Sequence, residues 1–121
     1  MDQLLSGRQI LVVEDEMLVL MLIEDMLGEL GCESVTAAAT VDQALALITA
    51  QGFDAALLDL NLNGNTSYAV ADTLAAHGVP FVISTGCSVH DMVDGYGDRP
   101  LLKKPFQYEE LVAILTGLLS R

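Results

Sequence analysis

Short apolar runs that end on polar side chains set the tightest limit on how this chain can fold. Arg8-Gln-Ile-Leu-Val-Val13 stops at Glu14-Asp15-Glu16, and Ala55-Ala-Leu-Leu58 stops at Asp59. Pro80-Phe-Val-Ile83 ends in Ser84-Thr85, and Pro100-Leu-Leu102 ends in Lys103-Lys104. A run of this length fits a buried strand or a piece of buried helix. The turn-forming cluster Asn61-Leu62-Asn63-Gly64-Asn65 after Asp59 favours a strand that leaves the core at a polar edge. Taken alone, Asp59 reads as a turn or cap residue. A fifth candidate, Glu33 to Ala37, is short and partly polar, with Ser34 and Thr36 alternating against Val35 as in an edge strand.

Helical patterns separate these runs. Met17 to Leu30 is densely apolar with Gly31 as its stop. Thr40-Val41-Asp42-Gln43 has the form of a capping box, and Val41, Ala44, Leu45 and Ile48 then recur on one helix face, with Gly52 as the stop. Asn65-Thr66-Ser67 offers caps for a third helix running to about His77, with Val70 and Leu74 on its apolar side. Ser88 to Asp98 is a weak element, interrupted by Gly95 and Gly97. Tyr108 to Leu119 forms a last helix, with Leu111, Ile114, Leu115 and Leu118 on one face and Glu109 and Glu110 at its positive end. Strand and helix alternating five times specify an α/β fold, a parallel sheet with helices on both faces. In such open sheets the site lies beyond the carboxyl ends of the strands, where strand order reverses.

Size and charge narrow the function. The 121 residues are read as one domain spanning 1–121 with no output domain, long enough to bury a core without staples. Seventeen acidic against five basic side chains leave a net charge of −12, which repels a phosphate backbone, so no nucleic-acid partner is expected. The longest apolar run, Met17 to Ile23, falls well short of the ~20 residues that span a bilayer, so no membrane insertion is expected. The start of the chain lacks a basic head, apolar core and cleavage site, and the expected location is cytoplasmic. Cys32 and Cys87 have no metal-type spacing and read as free thiols. His77 and His90 read as surface or loop residues.

The strand ends carry complementary chemistry. Glu14 and Asp15, Asp59, Thr85 and Lys104 converge in one crevice if their strands lie side by side. Three carboxylates together repel one another unless a cation neutralises them, and an all-oxygen set suits a hard ion such as Mg²⁺. Two acids would hold the metal, leaving Asp59 as a nucleophile toward phosphorus. Phosphoryl transfer needs in-line positioning and charge neutralisation, which Mg²⁺, the Lys104 ammonium and the Thr85 hydroxyl can supply.

In order and spacing these residues resemble the receiver domains of two-component response regulators: Glu14-Asp15 after Ile10 to Val13, Asp59 after Leu57-Leu58, Thr85 after Ile83-Ser84, and Lys104-Pro105-Phe106. The resemblance covers essentially the whole chain. It implies a flavodoxin-like, doubly wound five-stranded parallel sheet of order 2-1-3-4-5. It also implies Mg²⁺ held by Glu14, Asp15, Asp59 and the backbone carbonyl of Asn61, and a cis peptide between Lys104 and Pro105. The expected function follows from the resemblance: Asp59 accepts a phosphoryl group from a histidine kinase or phosphotransfer protein. The chain is then a phosphoacceptor rather than an enzyme, signalling to a downstream protein target or draining phosphate from a shared kinase. The alternatives are a receiver-like binding module independent of phosphorylation and a small phosphatase with an Asp nucleophile.

Two positions depart from the family pattern. Leu101 stands where receivers usually carry an aromatic ring that couples to the Thr hydroxyl, and Leu62-Asn63 replaces the common Met-Pro pair. Both departures, with Thr85-Gly86 and Pro100 to Phe106, resemble the "FAT GUY" subgroup, although Ile83-Ser84 stands in place of its Phe-Ala. With no ring at Leu101, the segment from Gly86 to Gly97 is expected to reorganise on activation. Met17 and Met21 read first as core packing, yet the run Met17 to Ile23 is apolar all round, and one helix against a sheet buries only part of its circumference. Val112 and Leu119 on the last helix pose the same question.

Overall fold

The computed structural model describes residues 7–32, 34–59, 61–62, 65–66, 68–85, 101–103 and 108–119. In chain order the elements are β1 (Gln9–Val13), α1 (Met17–Glu29), β2 (Ser34–Ala38), α2 (Val41–Ala50), β3 (Ala55–Asp59), β4 (Asn61–Leu62), β5 (Asn65–Thr66), α3 (Tyr68–Ala76), β6 (Phe81–Thr85), β7 (Leu101–Lys103) and α4 (Tyr108–Leu119). The five expected strands form one sheet of order β2-β1-β3-β6-β7. Each neighbouring pair in it is parallel. This is the 2-1-3-4-5 order, with the switch in direction between β1 and β3.

Strands buried on both sides explain why the sequence reads as continuous apolar runs rather than as alternation. Leu11, Val13, Ala56, Leu58, Phe81 and Ile83 pack on one side with Ala44 and Ile48 of α2 and Val70, Ala71 and Leu74 of α3. Their neighbours Ile10, Val12, Ala55, Leu57 and Val82 pack on the other side with Ile23 and Leu27 of α1 and Leu111 and Leu115 of α4. The period-two alternation of strand side chains thus divides the core in two. Polar β2 lies at the edge, as its composition predicts, paired only with β1.

Local chemistry sets several of the helix ends. Thr40 Oγ1 accepts the Gln43 backbone N–H at 3.1 Å, while Gln43 Oε1 accepts the Ala39 N–H at 2.9 Å, one residue earlier than in the standard capping box. Past α1, the Gly31 N–H donates to Gly28 O at 3.0 Å and the Cys32 N–H to Leu27 O at 3.1 Å, a Schellman pair that needs the positive φ of 90° at Gly31. Gly78 and Val79 close α3 in the same way, with donors to Ala75 O and Leu74 O. Gly52 has no such role: α2 ends at Gln51 in an extended conformation.

Asn65 and Thr66 pair antiparallel with Leu62 and Asn61 in a separate two-stranded ribbon, and Ser67, the last residue of the expected cap cluster, lies outside the described residues. The intervening Asn63-Gly64 is the dipeptide that two-residue hairpin loops favour, a signal more specific than the general turn propensity of the cluster. Met17 and Met21 are not core residues, being 72% and 54% exposed. One helix buries a single stripe against the sheet, and in α1 that stripe is Ile23 and Leu27.

Candidate functional site

The sheet register brings two acids to one level. Val13 is opposite Leu58, so Glu14, one residue beyond, stands level with Asp59, the last residue of β3. The Glu14 N–H donates to Ala38 O of β2 at 2.9 Å, which ties the turn after β1 to its outer neighbour. Glu14 is 1% exposed and Asp59 6% exposed, and they are the buried charged residues among those described. With half-buried Asp15 they bring one carboxylate oxygen each to within 4.8 Å of one another.

Burial and proximity work against three negative charges. At such a separation two unit charges repel by about 3 kcal/mol at an effective dielectric of about 20. Three oxygens from two chain segments, without nitrogen or sulfur donors, fit a hard divalent cation that keeps waters and accepts phosphate oxygens. The donor set therefore fits Mg²⁺. Glu14 also holds backbone, since its Oε2 accepts the Glu16 N–H at 3.2 Å. Glu16 is the N-cap of α1 and supplies no side-chain cap of its own, so Glu14 links the acidic crevice to the start of that helix.

The other expected site residues are placed only by backbone. Ser84 is opposite Asp59 in the β3–β6 pairing, so Thr85 comes one residue later at the same sheet edge. Thr85 in turn is opposite Lys103 of β7. Asn61 begins β4 two residues past Asp59. Lys104, Pro105, His90, Cys87 and the Ser88 to Asp98 segment lie outside the described residues. His77 is exposed at the end of α3, and Cys32 is a half-buried free thiol whose Sγ lies 3.5 Å from Ser34 O.

Residues 10–116 match the response regulator receiver domain family. The chain belongs to that family. The receiver is 34% identical over 118 residues to the two-component response regulator PhoP of Pseudomonas aeruginosa, covering 93% of this chain and 52% of that protein. It thus spans about half the length of that curated relative. Its fold is similar to the solution structure of SdrG from Sphingomonas melonis Fr1, with a TM-score of 0.83, 44% identity and coverage of 96% and 98% of the two chains. It is also similar to the receiver domain of sensor histidine kinase PA1611 from Pseudomonas aeruginosa PAO1, whose structure has a magnesium ion coordinated in the active site cleft. That match has a TM-score of 0.78, 29% identity and coverage of 94% and 98%. Receivers take part in two-component signalling as phosphoacceptors. Among the described residues, no helix is long and apolar enough to cross a membrane.

The link from Glu14 to Glu16 could not be read from the sequence. The sequence places Glu14 and Asp15 at the end of an apolar run, but it gives no sign that Glu14 turns an oxygen back to the Glu16 N–H.

Proposed function

We propose that the receiver accepts a phosphoryl group on Asp59 from a histidine kinase or phosphotransfer protein in the cytoplasm, with Mg²⁺ held by Glu14, Asp15, Asp59 and the Asn61 backbone carbonyl. The supporting observation is the convergence of the three carboxylates within 4.8 Å at the carboxyl edge of the sheet. When bound, Mg²⁺ neutralises charge on the transferring phosphoryl oxygens. An Asp59 carboxylate oxygen attacks phosphorus in line, the new O–P bond forms as the donor's P–N or P–O bond breaks, and the leaving group keeps that electron pair. Thr85, beyond Ser84 on β6, donates its hydroxyl to a phosphoryl oxygen, and Lys104 supplies an ammonium to the same charge. Burial of Asp59 limits attack by water on the acyl phosphate. The phosphorylated chain acts on a downstream protein or drains phosphate from a shared kinase.

The decisive measurement is mass spectrometry after incubation with acetyl phosphate. A hydroxylamine-labile phosphoryl adduct should appear on Asp59, require Mg²⁺ and vanish with EDTA. An adduct that persists in Asp59→Asn would refute the assignment.

A further inference from the structure

The connection from β3 to α3 departs from the common receiver pattern at Leu62-Asn63, and it carries a structure of its own. In the separate ribbon of β4 and β5, Asn61 is opposite Thr66 and Leu62 is opposite Asn65. Two residues, Asn63 and Gly64, connect the strands. A two-residue connection is closed by a bond from the amide after it to the carbonyl before it, so Leu62 and Asn65 are the pair that exchanges both N–H···O bonds. Bonded and non-bonded pairs alternate along an antiparallel ladder. Asn61 and Thr66 are therefore the non-bonded pair, and the Asn61 carbonyl turns out of the ribbon. Asn61 lies two residues past Asp59, a member of the carboxylate cluster.

Turn chemistry ties this register to the sequence. Two-residue hairpins favour primed turns, which need a positive φ at the first central residue. Proline, with φ fixed at about −65°, cannot supply it. Asn63 in place of the common Pro is thus the departure that admits a ribbon, and Asn-Gly is the dipeptide that favours one. We propose that the ribbon is a positioning device for the cation site: it presets the Asn61 carbonyl as a ligand, so that ribbon closure and cation binding favour each other. The proposal rests on the metal-site reading above. A ribbon of two residues per strand, outside the main sheet, is marginal by itself. A cation that prefers the closed form has leverage on so small an element.

The test is amide-resolved NMR of the full chain without a phosphoryl donor. Mg²⁺ titrated into wild type should shift the amides of Glu14, Asp15 and Asp59. At saturation it should slow solvent exchange of the Leu62 and Asn65 amides by at least about fivefold, because coupling between two equilibria is reciprocal. Gly64→Val puts a β-branched side chain at the second central position, which a type I′ turn holds at positive φ. It should speed exchange of the same two amides and weaken Mg²⁺ binding by at least about fivefold. Asn63→Asp, which keeps a favoured hairpin dipeptide, should bind no more weakly than wild type. Exchange at Leu62 and Asn65 unchanged by Mg²⁺ would overturn the proposal, and that measurement needs no variant. So would wild-type Mg²⁺ affinity in Gly64→Val with the ribbon amides unprotected. In both results the carboxylate residues still respond to Mg²⁺, and the metal-site reading stands. No Mg²⁺-dependent shift at Glu14, Asp15 and Asp59 would overturn that reading and the proposal together.

Discussion

Asp54 and Asp59 lie five residues apart at opposite ends of β3, and their surroundings make them chemically different. At the amino end, Asp54 Oδ2 accepts the Gln9 N–H at 2.7 Å while the Asp54 N–H donates to Gln9 O at 2.8 Å. That carboxylate is satisfied by backbone, half-buried, and closes the start of the β1–β3 pairing. At the carboxyl end, Asp59 is nine-tenths buried and shares its space with two other carboxylates. Asp54 closes a strand pairing through backbone, which makes it structural, whereas carboxylates crowded in a confined space make a site for a cation even though one of them, Glu14, also holds a backbone amide. The sheet has the same strands at both ends, so the difference lies in the neighbours that β1 brings to each acid. At its start β1 presents a backbone amide, and just past its end it presents two more carboxylates.

The largest expected effect is on labelling. Asp59→Asn should bring acetyl phosphate labelling to background, whereas Asp54→Asn, which keeps an acceptor oxygen, should label at the wild-type rate. Loss of labelling in both variants would mean that Asp54 serves the site through the sheet and would dissolve the contrast.

Metal binding gives the next largest effect. Mg²⁺ at a hundred times its Kd should stabilise the wild-type chain by about 2.7 kcal/mol, and Asp54→Asn equally. Glu14→Gln and Asp59→Asn should lose most of that gain. At low ionic strength without Mg²⁺, these same two variants should melt higher than wild type, because each removes one of three crowded charges. A Tm that falls in both would show that repulsion does not dominate the crevice.

Smaller effects sharpen the other end. Asp54→Ala should cost about 1 kcal/mol in urea unfolding through loss of the hydrogen bond to the exposed Gln9 amide, which water then satisfies, with labelling retained. Smallest of all, Leu18→Ser, remote from both ends of β3, should change stability by no more than about 0.5 kcal/mol and leave acetyl phosphate labelling intact. A larger loss would place Leu18 in the fold rather than on a free surface.

The architecture was legible because burial on both sheet faces leaves a strong trace. Val-, Ile- and Leu-rich runs broken by helical periods admit few layer arrangements, and parallel strands joined by helices bring polar termini to one edge. The acids were legible for the same reason, since Glu14, Asp15 and Asp59 lie directly at the ends of apolar runs. Other features were hidden by local ambiguity. The cluster from Asn61 to Thr66 reads from sequence as turn and cap residues, and the pairing of Asn61 with Thr66 adds a ribbon that those propensities do not specify. Met17 and Met21 have the hydrophobicity of core residues, and the run Met17 to Ile23 contains no polar residue to mark the side turned from the sheet.

By itself, then, the order of residues determined the strand and helix alternation, the edge at which polar groups gather, and the candidate carboxylates. These depend on periodicity and on where apolar runs stop, both local properties of the chain. Tertiary structure decided that Glu14 stands level with Asp59 and is buried beside it, that Asp54 is held by the Gln9 amide, and that Met17, Leu18, Met21 and Leu22 face outward. Each depends on register or helix rotation, and those are set by packing between segments far apart in sequence.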